Sequence, residues 1–191
     1  MEYYQEVTLL PDAEIPVHFL WTKVFTQLHI AFADRKNKTG CMDFAVSFPE
    51  YAAVGPGSKL RVFADTEEIL QGLELKLILQ RFLDYVHVTQ VRAVPKNRIK
   101  SYAVYSRYQG DGSVHQKAMR YARRHPETTY EQAVKLLQQK KDKERFPYIQ
   151  MKSISNQNQF RLFVQKKLVD SPCEGEFGTY GLSARATVPE F

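Results

Sequence analysis

Residues 59–95, KLRVFADTEEILQGLELKLILQRFLDYVHVTQVRAVP, switch hydrophobic period twice, and those switches decide the fold. Lys59 to Asp65 is rich in β-formers, Thr66 to about Leu83 carries apolar residues at helical spacing, and the chain from Tyr85 alternates as a strand again. Upstream, MDFAVSFP (42–49) reads as another strand, joined to the first through EYAAVGPGS, whose Gly-Pro-Gly marks a turn. Pro11 and Pro16 bracket a turn before a long helical pattern in which Trp21, Phe25, His29 and Phe32 form one row and Leu20, Val24, Leu28 and Ala31 another. EYYQEVTLL (2–10) supplies the opening strand. The order β-α-β-β-α-β predicts an α+β chain that begins with a ferredoxin-like unit over residues 1–96, two helices lying on one face of a four-stranded antiparallel sheet.

PKNRIK is a connector into a second unit, residues 97–191. It opens with the strand SYAVYSRYQ (101–109) and a turn at Asp111-Gly112. Ser113 with Gln116 forms one capping box, whose helix runs to about His125 before Pro126. Thr128 with Glu131 forms a second box, whose helix ends in the charged run QQKKDKER. YIQMKSIS and FRLFVQKKL, separated by NQNQ, predict a hairpin, and the tail GEFGTYGLSARATVPEF carries three glycines within seven residues.

Charge divides the halves. Residues 1–100 hold 12 Lys+Arg against 12 Asp+Glu, whereas residues 101–191 hold 15 against 9, so the whole excess of +6 lies in the second half. Such a half fits a polyanion, most economically a nucleic acid. The excess gathers on SVHQKAMRYARRH, where Lys117, Arg120 and Arg124 fall at i, i+3 and i+7 with Arg123 beside them. No carboxylate stands between Ser113 and His125 to make this a self-paired solvated face. Arginine forks match guanine O6 and N7 or a phosphate, and a protein helix enters the narrow major groove of RNA only where the duplex is short, as in a hairpin stem. Arg107 and Gln109, two apart on a strand, share a side and carry groups suited to base edges. Phe160 offers a ring for a terminal base pair, or packs as an ordinary strand aromatic. The run QQKKDKER is read as a solvated helix end or a further phosphate contact.

No apolar run approaches the roughly 20 residues that span a bilayer, and MEYYQEVTLL is unlike a signal peptide, so a cytoplasmic protein is expected. The two cysteines, Cys41 and Cys173, lie outside any CxxC and are expected to be small packing residues. No cluster with metal-ligand spacing is found, and neither metal nor cofactor is expected. His29, between Leu28 and Phe32, admits two readings: a packed core histidine, or a base.

AVSFP, the basic helix ending in RRH, SISNQNQFRLFV and the terminal YGLS followed by VPEF together resemble the CRISPR-associated endoribonucleases of the subtype I-F (Ypest) system, members of the RAMP superfamily. The resemblance runs from the first strand to the last residue. It implies a nuclease that cuts precursor CRISPR RNA at the base of the repeat hairpin, without metal, by 2′-hydroxyl attack giving a 2′,3′-cyclic phosphate. It implies that the enzyme then stays on the guide RNA beside other subunits of a surveillance complex. By position it points to His29, Ser153 and Tyr180 as catalytic, to Arg107, Gln109, Arg120 and Arg124 as base readers, to Phe160 as the stacking ring, and to Ser155 near the cleaved nucleotide. Lys117 and Arg123 join them as RNA contacts on the basic helix. The helix departs from the pattern in carrying Gln116, Ala118 and Met119 where arginines can stand. A hairpin-binding subunit without cleavage is the rival reading.

Overall fold

A computed structural model describes residues 1–108, 114–140, 146–153 and 157–191. The chain is α+β, built on two antiparallel sheets. The first contains β1 (Tyr3–Leu9), β2 (Ala45–Ser47), β3 (Lys59–Ala64) and β4 (Val86–Val88) in the order β2-β3-β1-β4, with β5 (Arg92–Ala93) also paired to β1.

Helix α1 (Val17–Thr39) starts at Pro16, whose carbonyl accepts from Phe19 N–H at 2.9 Å, and stops at Gly40, which takes the left-handed conformation at φ 74°. Leu20, Trp21, Val24, Phe25, Leu28 and Phe32 are buried, as the two apolar rows require. Trp21 satisfies its indole N–H on the Gly57 carbonyl at 2.7 Å.

The helix expected over 66–83 is broken. It forms as α2 (Glu67–Gln71), α3 (Leu75–Ile78) and a 3-10 turn at Gln80–Phe82, with Glu74 at φ 51° between the first two. Leu70, Leu73, Leu75 and Leu79 are all buried. The two-residue step from Leu73 to Leu75 cannot be met on one helical face, so the chain turns at Gly72 and Glu74 to bury both.

The strand expected from Tyr85 is likewise split. Residues 89–91 face only Glu6 and Gln5 of β1, because Val88 pairs with Val7 and Arg92 with Tyr4, so one extra residue forms a bulge. Thr89 holds it: its N–H donates to the Glu6 carbonyl at 2.9 Å, its hydroxyl accepts from Glu6 N–H at 2.9 Å, and its carbonyl accepts from the Gln5 amide at 2.7 Å.

The second sheet has the order β7-β8-β6-β9, from β6 (Ser101–Tyr108), β7 (Tyr148–Lys152), β8 (Gln159–Val169) and β9 (Val188–Glu190). The expected β7–β8 hairpin is present, with Met151 opposite Phe160. Strand β9 was not anticipated. It pairs with β6 at the sheet edge, where Pro189 is tolerated because no ladder bond is asked of it on the open side. Between β6 and β7 lie α4 (Val114–Arg124) and α5 (Tyr130–Lys140), packed together with Ala118 and Ala133 fully buried. The cap of α5 falls one residue later than expected. Thr129, not Thr128, accepts from Gln132 N–H at 3.2 Å, and the Gln132 side chain accepts from Thr129 N–H at 2.9 Å, so the box is Thr129–Gln132 rather than Thr128–Glu131. The expected turn at Asp111-Gly112, the Ser113 and Gln116 side chains of the first capping box, Gln109, Ser155 and the charged run after Lys140 lie outside the described residues.

Buried residues of both sheets form one cluster. Tyr51 donates to the Val164 carbonyl at 2.8 Å, the Tyr105 hydroxyl oxygen lies 3.1 Å from the Phe48 carbonyl, and α1 packs across β7. Cys41 and Cys173 are both exposed, which corrects the expectation that they pack. Among the described residues no helix is long and apolar enough to cross a membrane.

Candidate active site

The half-buried polar residue on the otherwise apolar inner rows of α1 is His29. Its Nδ1 lies 2.9 Å from the Thr179 carbonyl oxygen. A carbonyl only accepts, so Nδ1 carries the hydrogen, and in the neutral ring the lone pair falls on Nε2. The imidazole stacks on Tyr180, with centroids 4.1 Å apart and planes 13° from parallel.

The loop that delivers Thr179 and Tyr180 is fixed by its own backbone. Gly178 N–H donates to the Leu182 carbonyl at 2.8 Å, Gly181 N–H to the Gly178 carbonyl at 2.8 Å, Val46 N–H to the Gly181 carbonyl at 3.0 Å, and Ser183 N–H to the Tyr105 carbonyl at 2.9 Å. Gly181 sits at φ 68°, and a Cβ there would come within 2.7 Å of Val46 Cγ1 and 3.2 Å of Phe32 Cε2. Both conformation and space therefore demand glycine. Ser183 closes the loop by donating its hydroxyl to the Glu176 carbonyl at 2.7 Å and accepting Ala186 N–H at 2.9 Å. The YGLS motif is a clamp that sets one tyrosine and one carbonyl against α1.

Arg107, exposed near the end of β6, holds its guanidinium carbon 5.8 Å from the Tyr180 ring centre and 5.5 Å from that of Phe160. These are cation–π distances. His29, Tyr180, Arg107 and Phe160 thus form a continuous chain of ring and guanidinium contacts, drawn from α1, the tail loop, β6 and β8. Burial pushes the Tyr180 phenol above its ordinary pKa, opposed by the positive charge of Arg107, so the hydroxyl stays protonated through the neutral range.

Ser153 follows β7 directly. Its N–H donates to the Asn158 carbonyl at 2.9 Å and its carbonyl accepts from Gln157 N–H at 3.0 Å, closing the hairpin turn. Two residues earlier, Met151 Sδ meets Thr26 Oγ1 at 4.0 Å, and Thr26 lies one turn before His29 on α1. The hairpin therefore runs over α1 beside the histidine. Lys117 is half-buried, and Arg120, Arg123 and Arg124 are exposed on α4, which belongs to the helical pair rather than to either sheet. His125 stacks on Tyr121 at 4.3 Å and its Nδ1 lies 3.1 Å from Glu127, so it caps a local cluster. Sequence reasoning missed the Thr179 carbonyl and Gly181. The only trace of them was the glycine spacing of the tail.

Fold and site together define a basic α+β protein in which a histidine of α1 stacks on a tyrosine of the tail loop. Residues 4–191 match the family described as CRISPR-associated protein (Cas_Csy4), and the chain belongs to that family. Over its whole length it is 36% identical, across 193 residues, to the whole of a protein of Escherichia coli (strain UTI89 / UPEC) named CRISPR-associated endonuclease Cas6/Csy4. It is 28% identical, across 194 residues and again over both full lengths, to the protein of that name from Pseudomonas aeruginosa (strain UCBPP-PA14).

Proposed function

We propose that this protein is an endoribonuclease that binds the hairpin of a CRISPR repeat RNA and cuts the precursor transcript at the base of the stem. The observation that carries the proposal is the imidazole of His29, with Nδ1 committed to the Thr179 carbonyl and its ring backed by Tyr180. That arrangement leaves Nε2 to accept a proton. A ribose 2′-hydroxyl beside it passes its proton to Nε2, and the resulting oxygen attacks the adjacent phosphorus. The bond to the downstream 5′-oxygen breaks and that oxygen takes a proton from water, giving a 2′,3′-cyclic phosphate and a 5′-hydroxyl, while the imidazolium returns its proton to solvent. The nucleophile belongs to the substrate and an imidazole takes its proton, so the step requires no metal.

In this reading Ser153 hydrogen-bonds the attacking ribose, and Ser155 lies near the same nucleotide. Tyr180 orients the imidazole as a neutral phenol. Arg107, with Gln109, reads the base pair next to the cut, and Phe160 stacks against it. The contact of Arg107 with both rings supports this placement. Lys117, Arg120, Arg123 and Arg124 of α4 enter the major groove, where Arg120 and Arg124 read guanines and the others meet phosphate. We propose a ferredoxin-like unit over residues 1–96, supported by the strand order β2-β3-β1-β4, and an RNA-binding unit over 97–191. The contacts lie upstream of the scissile phosphate, so the cut hairpin keeps nearly the whole interface. The enzyme then retains its product as a guide RNA, in company with other subunits of a type I-F surveillance complex.

The test is cleavage of a repeat hairpin in EDTA with excess RNA. A burst of about one cut per protein, ending in a cyclic phosphate, is expected. Loss of cleavage in EDTA, or a 5′-phosphate on the downstream fragment, would refute it.

A further inference from the structure

The second sheet has two faces, and only one is used by the site. Residues directly opposite across the ladder share a face, so Arg107 with Val164, Ile149 with Leu162, and Met151 with Phe160 look towards α1 and the catalytic stack. The alternate residues look the other way. On that outer face Tyr108, Phe163 and Tyr148 form one row across three strands, since Tyr108 pairs with Phe163 and Phe163 with Tyr148. Arg161, opposite Gln150, and Lys152, opposite Gln159, continue the face towards the hairpin tip, and Lys167 lies in the other direction.

Three properties of this face point to one kind of ligand. One of its rings is open, Tyr148 being 43% exposed, and Phe163 beside it is half-buried. Its cations already stand over its rings: the Arg161 guanidinium lies 4.6 Å from the Tyr148 ring centre, and Tyr148 and Phe163 are 5.5 Å apart. No Asp or Glu occupies any outward position of β6, β7 or β8, where Lys152, Arg161 and Lys167 are interspersed with glutamines. At the far end Asp170 and Glu174 line a cleft near β9. A protein interface would be depleted of lysine, which this face carries at Lys152 and Lys167, and would centre on a fully buried apolar patch. Rings alternating with arginine and amides on an open sheet face suit unpaired bases, which stack on any ring while the cations follow the phosphates.

We propose that the outer face of the second sheet is a stacking platform for single-stranded RNA, which holds the unpaired segment adjoining the hairpin. The proposal rests on the reading of the protein as a hairpin nuclease, because it supplies a place for the transcript that continues out of the stem. Tyr148 and Phe163 take one base each, and Arg161 and Lys152 follow the backbone towards the turn at which the hairpin of β7 and β8 reaches the catalytic side. The stem and the flanking strand are thereby held on opposite faces of one sheet.

The experiment compares affinity for three RNAs: the repeat hairpin alone, the hairpin with a ten-nucleotide 5′ extension, and the hairpin with a ten-nucleotide 3′ extension carrying a 2′-deoxy nucleotide at the cut. Wild-type protein and the Tyr148→Ala, Arg161→Ala and double variants are measured at two salt concentrations. Wild type should bind one of the extended RNAs about five-fold or more tightly than the bare hairpin, in line with the stacking of a single base. The variants should lose that increment while binding the bare hairpin, and cutting a hairpin that carries one further ribonucleotide 3′ of the stem, as wild type does. Equal affinity of wild type for bare and extended hairpins would overturn the proposal, as would a loss of equal size on all three RNAs. Failure of the wild type to cut the hairpin that carries one further 3′ ribonucleotide would count against the nuclease reading, and is read separately from the increment.

Discussion

Replacing Gly181 by alanine tests whether the tail loop, and not only the residues it carries, builds the site. At φ 68° an alanine costs about 1–2 kcal/mol in the left-handed region. Its Cβ, 2.7 Å from Val46 Cγ1, must also be accommodated against two side chains that are almost fully buried, Val46 and Phe32, at a further cost of about 1–3 kcal/mol. The loop can relieve the clash only by moving outward. It would then give up the bond from Val46 N–H to the Gly181 carbonyl and carry the Thr179 oxygen off His29 Nδ1. Destabilisation of about 2–5 kcal/mol corresponds to a fall in Tm of roughly 5–15 °C for a chain of this size. Cleavage, measured well below the new Tm, should fall at least about ten-fold, one pKa-unit's worth of barrier, with hairpin affinity changed far less. Gly178→Ala is the control, since a Cβ there would meet nothing nearer than the Leu182 carbonyl at 3.6 Å and no positive φ is involved. Melting curves and single-turnover rates of the two variants decide the matter. Equal Tm and equal cleavage for both would refute the argument.

If Arg120 and Arg124 read guanines, Arg120→Ala or Arg124→Ala should cost about 1–3 kcal/mol on the cognate stem and much less on a scrambled one; equal losses in a gel shift would reduce them to phosphate contacts. Glu190 is 15% exposed in its side chain and accepts both the Tyr105 hydroxyl at 2.9 Å and the Lys166 ammonium at 2.6 Å. Glu190→Gln leaves that lysine unpaired, and should lower stability by about 2 kcal/mol, seen as a lower midpoint in urea; an unchanged midpoint would remove this ion pair from the forces that hold β9 to the second sheet.

The first sheet was legible because its elements are patterned locally. The alternation of β3 and the two apolar rows of α1 both follow from neighbours within a few residues. What stayed hidden depends on contacts between distant segments. Thr89 makes a bulge only because Glu6 and Gln5 face it, and Leu73 and Leu75 break a helix only because both have a core to enter. Val188–Glu190 becomes a strand only because β6 has a free edge to offer. The site divides in the same way. His29 and Tyr180 were reached through motif resemblance, whereas the Thr179 carbonyl that fixes the imidazole carries no side-chain signature at all. Arg107 was placed on a strand by alternation, but its contacts with both Tyr180 and Phe160 join three segments that no local pattern connects.

The central claim is that His29 takes a proton from the RNA rather than filling space in the core. Its most direct measurement pairs a gel shift with single-turnover cleavage for His29→Ala, using a repeat hairpin in EDTA and a melting curve to confirm folding. The account predicts hairpin affinity within a few-fold of wild type, an unchanged cooperative melt, and no detectable cyclic-phosphate product. Cleavage by His29→Ala at the wild-type rate, or a variant that fails to fold and bind, would return this histidine to the core and contradict the account.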